Sequence, residues 1–322
     1  MSFGTSSDDL DFIALISEID DRTSAPVLRS VAEGPGTGTD TDTAVNTSVA
    51  LDSTAAVAQF FAVQRSSNAP ERPTVNDRVR VKVIDHLCAK AGHWLQTDPT
   101  LHRAVDIFDR VLQVEAVSRG MAEVVGVVCL LIASKIEDVR EYQLTPRKCV
   151  EVCDGLFPPY MFVDAEQRIA NLLTFRFARP TAFVFATQLL AALEVNAADD
   201  LRPLTYFCVE LASYSVVLTG SFSKCEIACA ALIVANGAVS SCGDASLDDS
   251  AVAGALWPES HARAANKTSA ADRSRVLDAA RALSGAALVI TPGTTAIKSV
   301  LAKYGSAAYA SVATRYTLPC HL

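Results

Sequence analysis

From Asn76 onward the apolar residues recur at helical spacing, with almost none of the alternation that marks strands. Val79, Val83, Ile84, Leu87, Cys88 and Ala91 fall on one face of a first helix. Asp98-Pro99 reads as an N-cap followed by proline at the first helical position. It opens a second helix with apolar positions Leu101, Ala104, Val105, Phe108 and Leu112. A third, over about residues 120–136, is apolar nearly all round between Val124 and Ala133, the pattern of a helix buried on every side. Thr145-Pro146 opens a fourth, and Pro158-Pro159 a fifth that runs through Glu166, Ile169, Leu172 and Leu173. After Ala178-Arg179-Pro180-Thr181 a second series is predicted over 181–193, 200–217, 222–239, 272–284 and 292–303, and its third member is again apolar from Ile227 to Ala238. The pattern predicts an all-α protein of two tandem five-helix units, each built around one buried helix.

The first fifty residues break this rhythm. Residues 30–54 are rich in Gly, Thr, Asp and Ser, with too little apolar mass to offset the entropy of ordering, so 1–52 is expected to be a disordered tail. A greasy stripe follows in Ala55, Ala56, Val57, Phe60, Phe61 and Val63, predicted as a short helix that docks on the body. The charge is concentrated in this tail. Residues 1–70 hold ten acids against Arg22, Arg29 and Arg65, a net −7 of the −8 carried by the whole chain. An acidic protein repels phosphate backbones, so nucleic acid is not an expected ligand.

The nine cysteines contain no CxxC pair and no Cys/His cluster at zinc spacing. Cys88, Cys129, Cys149, Cys208 and Cys229 lie in apolar surroundings and read as reduced core thiols of an intracellular protein. The N-terminal residues do not resemble a secretion signal, and the run Val124 to Ala133 is too short to span a bilayer. The expectation is a soluble protein of the nucleus and/or cytoplasm with no membrane partner. A Gly-rich phosphate loop, nucleophile elbow, HExxH or paired-carboxylate motif is missing, so neither catalysis nor a cofactor or metal is expected.

Several segments resemble the A/B-type, mitotic-like cyclins. Arg80-Val-Lys-Val-Ile-Asp-His-Leu87, with Val79 before it, resembles the family's Met-Arg-Ala-Ile-Leu-Val-Asp-Trp-Leu motif. Thr100 to Arg110 resembles the second-helix segment ending in Asp-Arg, and Leu131-Ile-Ala-Ser-Lys-Ile-Glu-Asp138 resembles the Leu-Ala-Ser-Lys signature. Glu166 through Thr181 resembles the end of the cyclin box, and Leu256-Trp-Pro-Glu-Ser260 and Lys303-Tyr304 with Tyr309 resemble second-lobe features. The resemblance implies a disordered acidic tail (1–52), a docking helix and linker (53–75), an N-terminal cyclin box (76–178), a C-terminal cyclin fold (179–306) and an extension (307–322).

It also implies a regulatory subunit that forms a heterodimer with a cyclin-dependent Ser/Thr kinase, with kinase substrates or inhibitors as further partners. The implied kinase contacts are Lys135 and Glu166 as polar anchors, Ile136, Ala170, Phe175 and Phe177 as the apolar surround, and Phe60 and Phe61 on the docking helix. Other readings stay open at this point. Lys135 fits a lysine snorkelling at a helix C-terminus, Glu166 a solvated helix residue, and Phe175 and Phe177 an interlobe core. Arg80 and Asp109 match a buried ion pair between the first two helices. The family's substrate-docking groove maps to Val79, Lys82, Val83, His86, Ala122 and Glu123, where His86, Lys82 and Ala122 replace larger apolar residues. That groove is expected to be degraded. Thr145-Pro-Arg-Lys148 has the form of a proline-directed phosphorylation site, although capping alone explains its first two residues. Transcription factors with the same tandem repeat carry basic surfaces and a zinc ribbon, which this sequence lacks, and a purely structural helical scaffold is the remaining rival.

Overall fold

The structure, a computed structural model, describes residues 75–117, 119–153, 155, 157–196, 199–243, 269–289 and 297–319. The acidic tail, the Phe60/Phe61 segment, Leu256–Ser260 and the start of the helix expected over 292–303 lie outside the described residues. The first lobe consists of α1 (Asp77–His93), α2 (Asp98–Val114), α3 (Ala122–Glu137), α4 (Pro146–Val152) and α5 (Pro159–Leu172). The second contains α6 (Ala182–Ala192), α7 (Leu201–Tyr214), α8 (Val216–Ser221), α9 (Lys224–Ser241), α10 (Ser269–Val289), α11 (Ser299–Tyr304) and α12 (Val312–Arg315). Among the described residues there is no strand.

The two apolar helices occupy the centres. α3 packs against α1, α2, α4 and α5, and α9 against α6, α7, α8 and α10. Every residue from Val124 to Ser134 is buried, which removes the solvent-facing side an amphipathic helix would have. α9 is long and apolar enough to cross a bilayer on length alone, but its residues from Ile227 to Leu232 are core. Gly126 on α3 has a packing reason: a Cβ there would stand 2.5 Å from Val83 Cγ1 on α1, so only glycine lets the two helices approach this closely.

Three expectations are corrected. Thr97, not Asp98, is the residue before α2, and Asp98 is the first helical residue. The N-terminus of α2 is served instead by Asp138, buried at the end of α3, which accepts from Thr97 N (3.3 Å), Thr97 Oγ1 (2.9 Å) and Thr100 Oγ1 (2.7 Å). The single helix expected over 200–217 is two, because the Ser215 hydroxyl accepts from Leu218 N at 3.2 Å and starts α8 afresh. Finally, residues past Tyr304 belong to the packing of the second lobe: Val312 and Tyr316 are buried, and α12 lies on α7.

Buried polar groups join the lobes. Arg80, 1% exposed, donates from Nε and Nη2 to the Asp109 carboxylate at 2.6 and 2.8 Å and from Nη2 to Ser213 O on α7 at 2.9 Å. Glu210 on α7, 2% exposed, accepts from Lys303 Nζ (2.5 Å), Tyr304 Oη (3.1 Å) and Cys88 Sγ of α1 (3.0 Å). Lys303 also reaches Asp98 on α2 at 2.8 Å. Burial works against the Lys303 charge, yet the Glu210 and Asp98 carboxylates outweigh it and hold the ammonium above the usual lysine range. Asp85 of α1 accepts from Lys298 N and Ser299 N, capping α11 from the other lobe.

Two stability predictions follow from these contacts. Arg80→Leu leaves Asp109 and the Ser213 carbonyl unpaired and is expected to cost roughly 3–5 kcal/mol. Urea unfolding checks this, and an unchanged midpoint would remove Arg80 from the interlobe role. His102, stacked on Phe183 across the lobes with centroids 5.0 Å apart, is held neutral by burial, its pKa lowered to about 4. The unfolded chain takes up that proton near the ordinary value, so this contribution is complete above about pH 6.5 and is lost as pH falls toward 4, by roughly 3 kcal/mol in all. Thermal melts of His102→Phe should show a flatter acid limb than the parent, and an identical limb would place the dependence elsewhere.

Candidate functional site

Lys135 lies in the last turn of α3, where the helix dipole favours a cation, and Glu166 lies midway along α5. The packing of α5 on α3 brings them together, with Lys135 Nζ 2.5 and 2.6 Å from the two Glu166 oxygens. Both side chains remain partly open to solvent. A solvent-facing pair of this kind adds little stability by itself, since desolvation and side-chain ordering offset most of the attraction. It does hold two donors and acceptors in a defined place.

Large apolar side chains stand exposed on the same helices and just past their ends. Ile136 follows Lys135, and Phe175 is 69% exposed just past the end of α5, its ring edge-on to half-buried Phe177 at 6.4 Å. Thr174 and Phe175 both have left-handed backbone (φ 50 and 56°), which costs an L-residue of this size about 1 kcal/mol or more. Phe175 N donates to Ala170 O at 2.8 Å, so the turn that closes α5 also turns the aromatic ring outward. Ala170 itself is only 6% exposed and offers almost no surface. Phe60 and Phe61 lie outside the described residues.

The structure adds residues the sequence pattern did not single out. Val139, Tyr142, Tyr160 and Val163 are all exposed. Tyr160 and Val163 lie on α5 off the buried stripe of Phe162, Ala165 and Ile169. Those two apolar positions off the stripe were the available signal. Val139 and Tyr142 are isolated loop residues with no periodicity to read. Gln143 folds their loop against α3 by donating to Lys135 O (3.3 Å) and Asp138 O (3.2 Å).

Arg103 braces this region from beneath. Its guanidinium pairs with Glu137 at 2.5 Å, one residue beyond Ile136, and donates to Phe177 O and Arg179 O, each at 2.7 Å. One buried side chain therefore fixes both the end of α3 and the chain that carries Phe175 and Phe177.

The six groove positions are brought to one side of α1 and α3 but leave little open apolar surface. Val83 is buried on Gly126 and Ala122 is fully buried. Val79 is half-buried, Lys82 and Glu123 are exposed, and His86 Nε2 lies 3.2 Å from Glu123 Oε1.

With this geometry in place, comparison with known proteins gives consistent results. Residues 55–178 match the family described as the cyclin N-terminal domain. Cyclin-B2-3 of Arabidopsis thaliana is 30% identical over 137 residues, covering 42% of this chain and 31% of that protein. The G2/mitotic-specific cyclin-A of Hydra viridissima is 25% identical over 172 residues, covering 53% of this chain and 40% of that protein. The chain thus spans well under half the length of these curated relatives. Among solved structures, a viral cyclin from herpesvirus saimiri superposes with a TM-score of 0.57 at 15% identity, over 71% of this chain and 97% of that one. This last likeness speaks to the fold alone.

The groove geometry yields a binding prediction. An Arg-x-Leu peptide is expected to show no saturable binding below about millimolar concentration, equivalent to about −4 kcal/mol. Fluorescence anisotropy decides it. Saturation in the micromolar range, lost on Glu123→Lys, would show a working groove.

Proposed function

We propose that this chain, which belongs to the cyclin family, acts as the regulatory subunit of a cyclin-dependent Ser/Thr protein kinase in the cell cycle. The observation that carries the proposal is the Lys135–Glu166 pair, with Ile136, Phe175, Tyr160 and Val163 exposed on the helices that bear it or just past their ends. An apolar patch with a few oriented polar groups fits protein recognition, where buried aromatic anchors supply affinity and the polar groups fix register.

By the family's mechanism, the partner's helix that carries a glutamate packs on this patch and is pushed in until the glutamate pairs with the ATP-binding lysine. Lys135 reaches partner carbonyl oxygens, and Glu166 accepts from partner amides. The binding energy goes into a shift of the kinase population toward its active arrangement, so the regulatory chain needs no bond chemistry of its own. The reading is supported by the rigid brace behind the patch, because a preformed surface loses less entropy on binding. Arg80 and Asp109 are structural in this account. The nucleus and/or cytoplasm is the proposed location.

Affinity purification of the full chain followed by mass spectrometry is expected to recover a cyclin-dependent kinase. Adding the chain to that kinase should raise its activity. Lys135→Ala combined with Glu166→Ala should lower binding by about tenfold or more, the scale of an interface hot spot, with helical circular dichroism and melting retained. A double variant that binds and activates as the parent does would displace the site, and absence of any recovered kinase would displace the function.

A further inference from the structure

Where α2, the interlobe linker and the start of α9 meet, positive charge outnumbers negative. The Asp106 carboxylate on α2 lies between two cations, Arg110 Nη1 at 3.8 Å and Lys224 Nζ, from the first residue of α9, at 3.6 Å. Neither distance is that of a hydrogen bond. Arg110 Nη1 and Asp106 Oδ2 are both buried and make no hydrogen bond among the described residues. Arg179, exposed on the linker, adds a third positive charge. Its backbone is pinned by Arg103, whose own guanidinium is already matched by Glu137. Arg110 and Lys224 therefore share one carboxylate, and Arg179, held beside α2 through its backbone, makes no ion pair among the described residues, so the three cations exceed the one anion by two.

Burial pushes the Arg110 pKa below its usual value, and the charges of Arg179 and Arg103 add to that despite Asp106. The fold thus holds a repulsion that a bound dianion would relieve. Arg110 is only 13% exposed, so water screens this repulsion weakly.

We propose that this notch is an oxyanion site for a phosphate dianion, free or as a phosphate monoester, bound by Arg110, Lys224 and Arg179. A phosphate monoester carries close to two negative charges at neutral pH, matching the excess, where a carboxylate brings one. Two of the three cations are arginines, whose planar fork fits phosphate oxygens bidentately. The three residues come from the first lobe, the linker and the second lobe, so an occupied notch ties the lobes together and raises their resistance to separation. This inference is independent of the kinase reading, since none of the three residues belongs to the Lys135–Glu166 patch.

The test is a calorimetric titration of the full chain with inorganic phosphate at constant ionic strength maintained with chloride. Saturable binding and a higher melting temperature than in chloride are expected. Arg179→Gln is the decisive variant, because Arg179 is exposed and its side chain makes no hydrogen bond or ion pair among the described residues. It should weaken binding by about tenfold, the effect of losing one charge-assisted hydrogen bond, and Lys224→Gln should do the same. A second arm compares the peptide Gly-Ala-phosphothreonine-Ala-Gly with its unphosphorylated form. Tighter binding of the phosphopeptide than of inorganic phosphate assigns the site to a modified polypeptide, and the reverse order assigns it to free phosphate. Phosphate indistinguishable from chloride, or unchanged affinity in both variants, would each overturn the proposal.

Discussion

A guanidinium that is 1% exposed must have its charge met inside the protein, and Arg80 sets much of the architecture through that requirement. From α1 it reaches partners on two other helices, the Asp109 carboxylate on α2 and the Ser213 carbonyl on α7. Satisfying one side chain therefore sets the first lobe in order and places the second lobe against it. The carboxylate of Glu210 works in the same place from the opposite lobe, with Cys88, Lys303 and Tyr304 as donors. Charges buried in this way add little net stability compared with well-packed apolar residues, but an arrangement that leaves any of them unpaired is strongly disfavoured. They select one docking of two lobes that hydrophobic contact alone would leave less defined.

That rigidity reaches the surface at the end of α3. A helix buried along its length has few ways to move, and Lys135 and Ile136 emerge from it just where it meets solvent. Arg103 then ties Glu137 to the linker carbonyls, so the aromatic pair past α5 is held relative to α3 by one side chain. The left-handed turn at Thr174 and Phe175 is a local cost accepted by the fold, and its result is a large apolar ring in water. The strained backbone and the exposed hydrophobic area fall on the same residue, Phe175.

The charge pattern has a similar logic. With −7 in residues 1–70, the remainder of the chain is close to neutral, so local imbalances dominate its field. Arg110 and Lys224 about the single carboxylate of Asp106 form one such imbalance, and the Arg103–Glu137 pair is a local balance. Each arises where elements distant in sequence converge. Neither is visible as a charge run.

The sequence alone determined the helical class, the two tandem units and the central helices, because periodicity and proline caps are local and the runs from Val124 to Ala133 and Ile227 to Ala238 leave no polar face. It also pointed to Lys135, Glu166, Arg80 and Asp109 through resemblance, before any distance was known. Tertiary structure decided the rest. Ser215 interrupts a helix that periodicity extended, and Asp138 serves the α2 terminus from 38 residues beyond Thr100. Arg103 bridges 74 residues to Phe177 O, and Lys303 spans 93 to Glu210. Hydrogen bonds and ion pairs of that range depend on where helices cross. A residue's pattern within its own helix states which face is buried, but it does not state what that face meets.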